Sequence, residues 1–275
     1  MVRSLWTGAT GMNAQQVNVD TIANNLSNVN TVGYKTEQNQ FKSLLYQTLQ
    51  NRTTSANGEV KPGSAQVGLG VRNASINSIF KQGSLLSTEN NTDFAIEGEG
   101  FFAVRDDDGQ TIYTRNGNFI WALDQNNTFS LTTSDGKRVL NINGNPITFN
   151  RGTYMAQKIE VMNDGTIGYP DNTGNVVPVG NNMKIGLYQF QNPGGLKKIG
   201  GTEFAITDAS GPAINENNNN NVTKSKVIQG YLEGSNVAVA DEMVNLIVAQ
   251  RAYEMNSKVI TTSDTMLEQA NQLKR

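Results

Sequence analysis

The sequence contains neither cysteine nor histidine. The first absence excludes disulfides, thiolate nucleophiles and cysteine-ligated zinc. The second removes the commonest metal ligand and the commonest general base, so an enzyme would have to work with carboxylates, lysine, tyrosine or serine–lysine pairs. Neither sign of charge is in excess: 22 Lys and Arg against 24 Asp and Glu give a net charge of −2. With no basic cluster and a pI of 5.3, nucleic acid and anionic lipid are not expected partners. No apolar run approaches the roughly 20 residues that cross a bilayer. The opening "MVRSLWTGATGMNAQQ" has no continuous apolar core and no small-residue cleavage site, so it does not read as a secretory signal. The expectation is a cytoplasmic location, or export without a cleaved signal.

What is present divides the 275 residues into unlike parts. At 37% hydrophobic and 17% charged content, the chain can build one large or two modest domains. Near the start, Leu5, Met12, Val19 and Leu26 recur every seven residues, with Ala9, Gln16, Ala23 and Asn30 between them. Ile22 and Val29 continue the apolar side, and Gly33 is the expected helix stop. Phe41, Leu44, Leu45 and Leu49 are spaced as the apolar side of a second short helix. At the other end, no Gly or Pro interrupts Ala238 to Arg275. There Ala252, Val259, Met266 and Leu273 recur at seven, with Ala249, Asn256, Ser263 and Ala270 completing a four–three rhythm. This predicts a helix of about 35 residues, about 50 Å long, with Asp241 and Glu242 in the first turn, where the helix dipole favours them.

The middle is rich in Gly and Asn. Short alternating runs from Phe94 to Gly234 are punctuated by Asp108-Gly109, Asn116-Gly117, Asp164-Gly165 and a Pro-Gly-Gly turn, which predicts an antiparallel β domain. Asn215 to Asn221 reads as a low-complexity loop with nothing to bury. The expected fold is therefore α+β. Long N- and C-terminal helices pair as a coiled-coil core, and a β-rich domain is inserted between them with an extended connector. The segments expected are 1–45 (helical), 46–92 (connector), 93–204 (outer β domain), 205–233 (return) and 234–275 (helical).

The terminal helices are unusual in their outer faces. Residues 1–50 carry only Arg3, Asp20, Lys35, Glu37 and Lys42 as charges, while Gln15, Gln16, Asn18, Thr21, Asn24, Asn25, Ser27 and Asn28 occupy outer positions. Neutral amides can be buried when hydrogen-bonded, at far lower cost than charges. This composition suits ends that pack against other copies, ordering on contact and remaining largely disordered in a dilute monomer.

No catalytic, cofactor or metal site is expected. Asp106, Asp107 and Asp108 run into Gly109 as a hairpin tip does and lack a calcium loop's spacing. "GEGFFA" at 98–103 imitates a dinucleotide fingerprint without the strand–turn–helix setting. Ser4, Ser263 and Lys258 have no partner base, and no carboxylate spacing favours glycoside hydrolysis. Trp6 and Trp121 read as packing residues. Three classes stay open on the residues alone: a structural polymer subunit, a secreted β-domain binding module or adhesin, and a carboxylate-based hydrolase.

"GATGMNAQQVNVDTIANNLSNVNTVGYK" (Gly8 to Lys35) and "EGSNVAVADEMVNLIVAQRAYEMNSKVITTSDTMLEQANQL" (Glu233 to Leu273) closely resemble the paired signatures of the bacterial flagellar rod and hook family. "DFAIEGEGFFAV" and "YTRNGNF" match its β-domain entry. The start, the phrase "LLYQTLQ" and the connector are most similar to distal rod members, with proximal rod and hook members as the neighbouring alternatives. The resemblance implies a non-enzymatic subunit, without cofactor or small-molecule substrate, that polymerises helically with itself into a hollow drive shaft. Implied partners are proximal rod proteins, the hook protein, the type III export apparatus and ring proteins around the rod. The implied location is the basal body in the cell envelope. Subunit packing falls on Leu5, Met12, Val19, Ile22, Asn25, Leu26, Asn28 and Val29, and on Val244, Ile247, Ala252, Tyr253, Val259, Met266 and Leu273. A rod-stiffening connector falls on Tyr46, Pro62, Gly63, Gly68 and Gly70.

Overall fold

A computed structural model of the chain describes residues 2–50, 65–124, 127–171, 175–180, 183–219 and 222–273. It divides into two compact units. The first holds Met1–Ser27, Glu37–Ser78 and Ala238–Arg275, and the second holds Asn28–Thr36 and Ile79–Val237.

The first unit contains helix α1 (Val2–Ser27) and helix α2 (Val239–Gln272). α2 is 34 residues long, with Asp241 and Glu242 in its first turn, as the uninterrupted sequence predicts. The second short helix is not formed. Phe41 and Leu49 lie instead in strands β1 (Glu37–Ser43) and β2 (Tyr46–Gln50), with Leu44 and Leu45 between them, and the strands pair antiparallel with β4 (Val71–Ser78) and β3 (Ala65–Gly68). Leu44 N–H donates to Gly70 O at 2.9 Å and Leu69 N–H to Leu45 O at 3.2 Å, so the two pairs continue as one ribbon. Apolar residues at 41, 44, 45 and 49 fit a helix by spacing alone, but the backbone partners that decide the matter arrive some 25 residues later and offer a ladder. α1 lies on this ribbon at Gly70, where φ is +108° and a Cβ would stand 2.1 Å from Thr10 Oγ1.

α1 stops at Ser27, six residues before the expected Gly33. Gly33 belongs to the second unit. It has φ of +70°, its N–H donates to Glu233 O at 2.8 Å, and a Cβ there would meet the Arg115–Asn116 backbone at 2.7–2.8 Å. Close approach, rather than helix capping, requires glycine at this position.

The second unit is the antiparallel β structure predicted from its turns. Its main sheet runs in the order Thr148–Asn150, Thr128–Thr133, Arg138–Val139, Phe101–Arg105, Thr111–Thr114, Glu203–Ala205, Lys197–Gly200. Phe119–Leu123 and Leu187–Gln189 join it off this path. Neighbouring residues Phe101 and Phe102 point to opposite faces, as strand geometry demands. Phe102 enters one core with Phe94, Phe119 and Phe129, and Phe101 a second with Tyr113, Phe190 and Phe204. "GEGFFA" thus feeds a strand and not a helix. Asp106 closes a turn by accepting from Gly109 N–H at 2.9 Å, and Asp107 and Asp108 are exposed.

Candidate assembly surface and its supports

α1 and α2 run antiparallel along a seam of small residues. Ser4 and Ser263 share a hydroxyl hydrogen bond at 3.0 Å. A Cβ on Gly8 would meet Ile260 at 3.0 Å, and one on Gly11 would meet the Asn256 amide at 2.8 Å. Near the far end Asn25 reaches Glu242. Between the Ser4 and Gly11 contacts, α1 advances seven residues and α2 retreats seven, from Ser263 to Asn256. From Gly11 to Asn25 the step is fourteen in each helix. On α2 the inward residues Ala249, Asn256 and Ser263 are those of the sequence rhythm. On α1 the inward set is 4, 8, 11 and 25, one position away from the Leu5–Met12–Val19–Leu26 stripe. That stripe is half-buried along the seam's border.

Each helix therefore finds a partner within the chain. The faces expected to need another copy are partly satisfied within the chain. Asn25 shows this most directly. It is 1% exposed. Its Oδ1 accepts from Glu37 N–H at 2.9 Å, and its Nδ2 donates to Glu37 O at 2.8 Å and to Glu242 Oε2 at 3.1 Å. Asn24 Nδ2 donates to Glu37 Oε2 at 3.1 Å, and the buried Thr21 hydroxyl to Val17 O at 2.8 Å. Asn28, half-buried in the second unit, accepts from the Thr31 hydroxyl at 3.1 Å, and Val29 beside it is half-buried.

The seam leaves many apolar side chains of α2 uncovered among its charged and polar ones. On α2, Val239, Met243, Val244, Ile247, Val248, Tyr253, Met255, Val259 and Met266 are exposed, as is Leu273 beyond the helix. Ala252 is half-buried and Ile22 buried. Gln16, Val19, Gln250, Tyr253 and Glu254 line a cleft of about 390 Å³ between the two helices. Trp6, expected to pack, is 64% exposed, because the seam takes residues 4 and 8 of its turn and not residue 6. Trp121 does pack, edge-on to Phe129 at 5.2 Å and Phe149 at 5.7 Å. On the ribbon, Leu45, Tyr46 and Leu49 are exposed, with the Tyr46 ring beside Gly68. Pro62 and Gly63 lie outside the described residues.

The second unit contains two buried charge sites that sequence reasoning missed. Glu233, fully buried, accepts from Lys35 Nζ at 2.6 Å, Arg115 Nη1 at 3.2 Å and Gly83 N–H at 2.9 Å. Lys35 also donates to Lys81 O at 2.8 Å, and Arg115 Nη2 to Gly98 O at 2.8 Å. The Arg115 guanidinium stands 5.0 Å from the Phe101 ring centre. Burial pushes the Lys35 ammonium below its ordinary pKa, with Glu233 opposing and Arg115 reinforcing. Asn236 Oδ1 accepts from both Thr36 N–H and hydroxyl at 2.7 Å, while its Nδ2 donates to Ile79 O and Lys81 O. The second site corrects the reading of the Asn-rich loop. Glu216 is buried and accepts from Ser225 N–H at 2.7 Å, Ser225 Oγ at 2.8 Å and Gln189 Nε2 at 2.9 Å. The one signal available was the rarity of charge around Lys35, since nothing in spacing links positions 35, 115 and 233. These carboxylates are consumed by structural hydrogen bonds. Among the described residues no group of three or more acidic side chains is placed to hold a metal ion.

Three family profiles match the chain: "Flagella basal body rod protein" over residues 5–35, "Flagellar hook protein FlgE/F/G D1 domain" over 95–169 and "Flagellar basal body rod FlgEFG protein C-terminal" over 228–273. Among similar whole proteins, the flagellar basal-body rod protein FlgG of Borreliella burgdorferi is 44% identical, covering 100% of both chains. The FlgG of Bacillus subtilis is 38% identical over 100% of both. The flagellar hook-basal body complex protein FlhP of Bacillus subtilis is 33% identical, again over both full lengths.

Proposed function

The chain belongs to the flagellar basal-body rod protein family, and from that premise we propose that it is a structural subunit of the distal rod, polymerising helically into a stiff hollow shaft that carries motor torque to the hook. The observation that carries this reading is the end-to-end likeness to rod proteins named FlgG on a chain whose longest helix leaves its apolar face uncovered. Exposed apolar patches of this extent mark association surfaces. A contact that is not self-matching generates open helical arrays when rotation does not close.

In this reading the α1–α2 pair is a coiled-coil core segment, and Leu5, Met12, Val19 and Leu26 with Val244, Ile247, Val259 and Met266 meet neighbouring copies. Segments 1–45 and 234–275 form the inner tube, 93–204 with 205–233 the outer layer, and 46–92 the stiffening connector that includes Tyr46, Gly68 and Gly70. The partners are further copies of the chain, proximal rod and hook proteins, surrounding rings and the type III export apparatus. Its place is the cell envelope, and it performs no catalysis.

Negative-stain microscopy of concentrated full-length chain, alone and seeded with hook–basal-body fragments, tests this beside a variant lacking residues 1–27 and 238–275. The cut at 27 preserves Lys35 and its buried partner Glu233. Tubes or seed extensions from the full-length chain only are expected. Monodisperse particles from both, seeded or not, would return the chain to the binding-module class.

A further inference from the structure

We propose that Asn25 is a positioning residue that sets the register of α2 along α1. Its amide is buried and satisfied on both atoms. Oδ1 and one N–H take both backbone groups of Glu37, so the side chain stands in for a ladder partner at the first residue of β1. The second N–H is left for the Glu242 carboxylate on α2. Only a group with one acceptor and two donors in an amide's plane completes this set. A carboxylate has no donor, and an aliphatic side chain has neither.

The rest of the seam discriminates poorly between registers. At Ser4 and Ser263 either hydroxyl can donate, and Gly8 and Gly11 offer no side chain. Sliding α2 by one heptad would bring Asn256 or Ala270 opposite Ser4, again small or polar. The slide that sets Ala270 opposite Ser4 sets Ala249 opposite Asn25, where a buried N–H would lose its acceptor; the slide that sets Asn256 there sets Ser235 opposite Asn25, ahead of the helix start and with its hydroxyl already accepting from Val237 N–H. A single buried amide specifying register at a helix–helix seam is a known use of such groups. Here it decides where along α1 the outward residues of α2, such as Ile247 and Val259, stand. That consequence matters to assembly, but the register itself belongs to one chain.

Because the chain has no cysteine, engineered pairs report register without background. Ser4→Cys is combined with Ser263→Cys, Asn256→Cys or Ala270→Cys in the full-length protein. The chains are oxidised at dilution and the crosslinks identified by mass spectrometry. In the parent only the 4–263 pair should close. N25D removes the donors to both Glu37 O and Glu242, so it should lower its closure by about tenfold or more, and the 4–256 or 4–270 pair should begin to close. Adding E242Q to N25D supplies an N–H to the new carboxylate and should restore part of the 4–263 closure, the share that belongs to the Asn25–Glu242 contact and not to the Glu37 carbonyl. E242Q alone should keep it, since the glutamine oxygen still accepts from Asn25. Three results would overturn the proposal: a parent 4–263 pair that does not close, an N25D chain that closes it at the parent rate, or a loss in N25D that E242Q leaves unrepaired. The last would place the effect in local folding at Glu37. None of these depends on polymer formation, so the inference can fail while the rod reading stands, and the reverse.

Discussion

Glu233 is the residue on which the second unit's buried charge depends. Two cations share its carboxylate at 2.6 and 3.2 Å, and all three side chains are almost wholly removed from water. Glu233→Gln keeps the shape and one acceptor but takes from Lys35 and Arg115 the carboxylate they both contact. Removing one partner of such a buried set costs about 3–5 kcal/mol. We expect a lowered urea midpoint for the strand signal, measured by circular dichroism. Asp164 behaves differently. Partial burial pushes its carboxyl up, but hydrogen bonds from Lys184 Nζ at 2.6 Å and from the Thr166 hydroxyl and N–H outweigh this and hold it at about 2. A depressed carboxyl contributes stability that is complete above its ordinary 3.8 and is lost as the pH falls through about 2. The carboxylate is more than half exposed, so solvent screening limits the contribution to about 1 kcal/mol or less. Asp164→Asn should flatten the acid limb of the stability curve in that window, and urea midpoints followed across it would show whether it does.

At the scale of elements, the two helices spend one face on each other and the ribbon and leave apolar residues exposed on the other. Val259 is exposed on α2 and Leu26 half-buried beside the seam on α1. A carboxylate at either place would be trapped in any apolar contact between copies, where an unpaired charge is strongly disfavoured. Leu26→Asp and Val259→Asp should each abolish tube formation and swarming while leaving the unfolding midpoint of the β unit unchanged. Assembly and motility surviving both would show that the outward stripe is not the contact. Gly70→Ala tests the other support of α1. Positive φ and the Thr10 hydroxyl both oppose a Cβ there, and strain of this kind costs about 1–3 kcal/mol. Faster amide exchange in α1 and along β1–β4, with no change in the β unit, is the expected result.

At the scale of the whole molecule, the chain crosses between its units after residues 27, 36, 78 and 237, so neither unit is a continuous piece of sequence. Deleting 1–27 and 238–275 removes both helices but keeps Asn28–Thr36, hence Lys35, with the second unit. That variant should retain the cooperative β transition in calorimetry at the full-length midpoint. Deleting through residue 35 should lower it, since Glu233 then faces Arg115 alone. The long C-terminal helix, the β character of the middle and its turns were legible because each rests on local pattern: an uninterrupted stretch without Gly or Pro, alternation, and Asp-Gly or Asn-Gly at tips. The family was legible for the same reason, since its signatures are contiguous strings at both ends. The ribbon at 37–78, the seam one position from the apolar stripe, the charge hub of 35, 115 and 233, and the buried Glu216 were decided only in the tertiary structure. Each depends on a partner distant in sequence. A strand needs another strand's backbone groups, a buried charge needs its counter-charge, and an amide's role follows from which donors and acceptors the fold brings within about 3 Å of it.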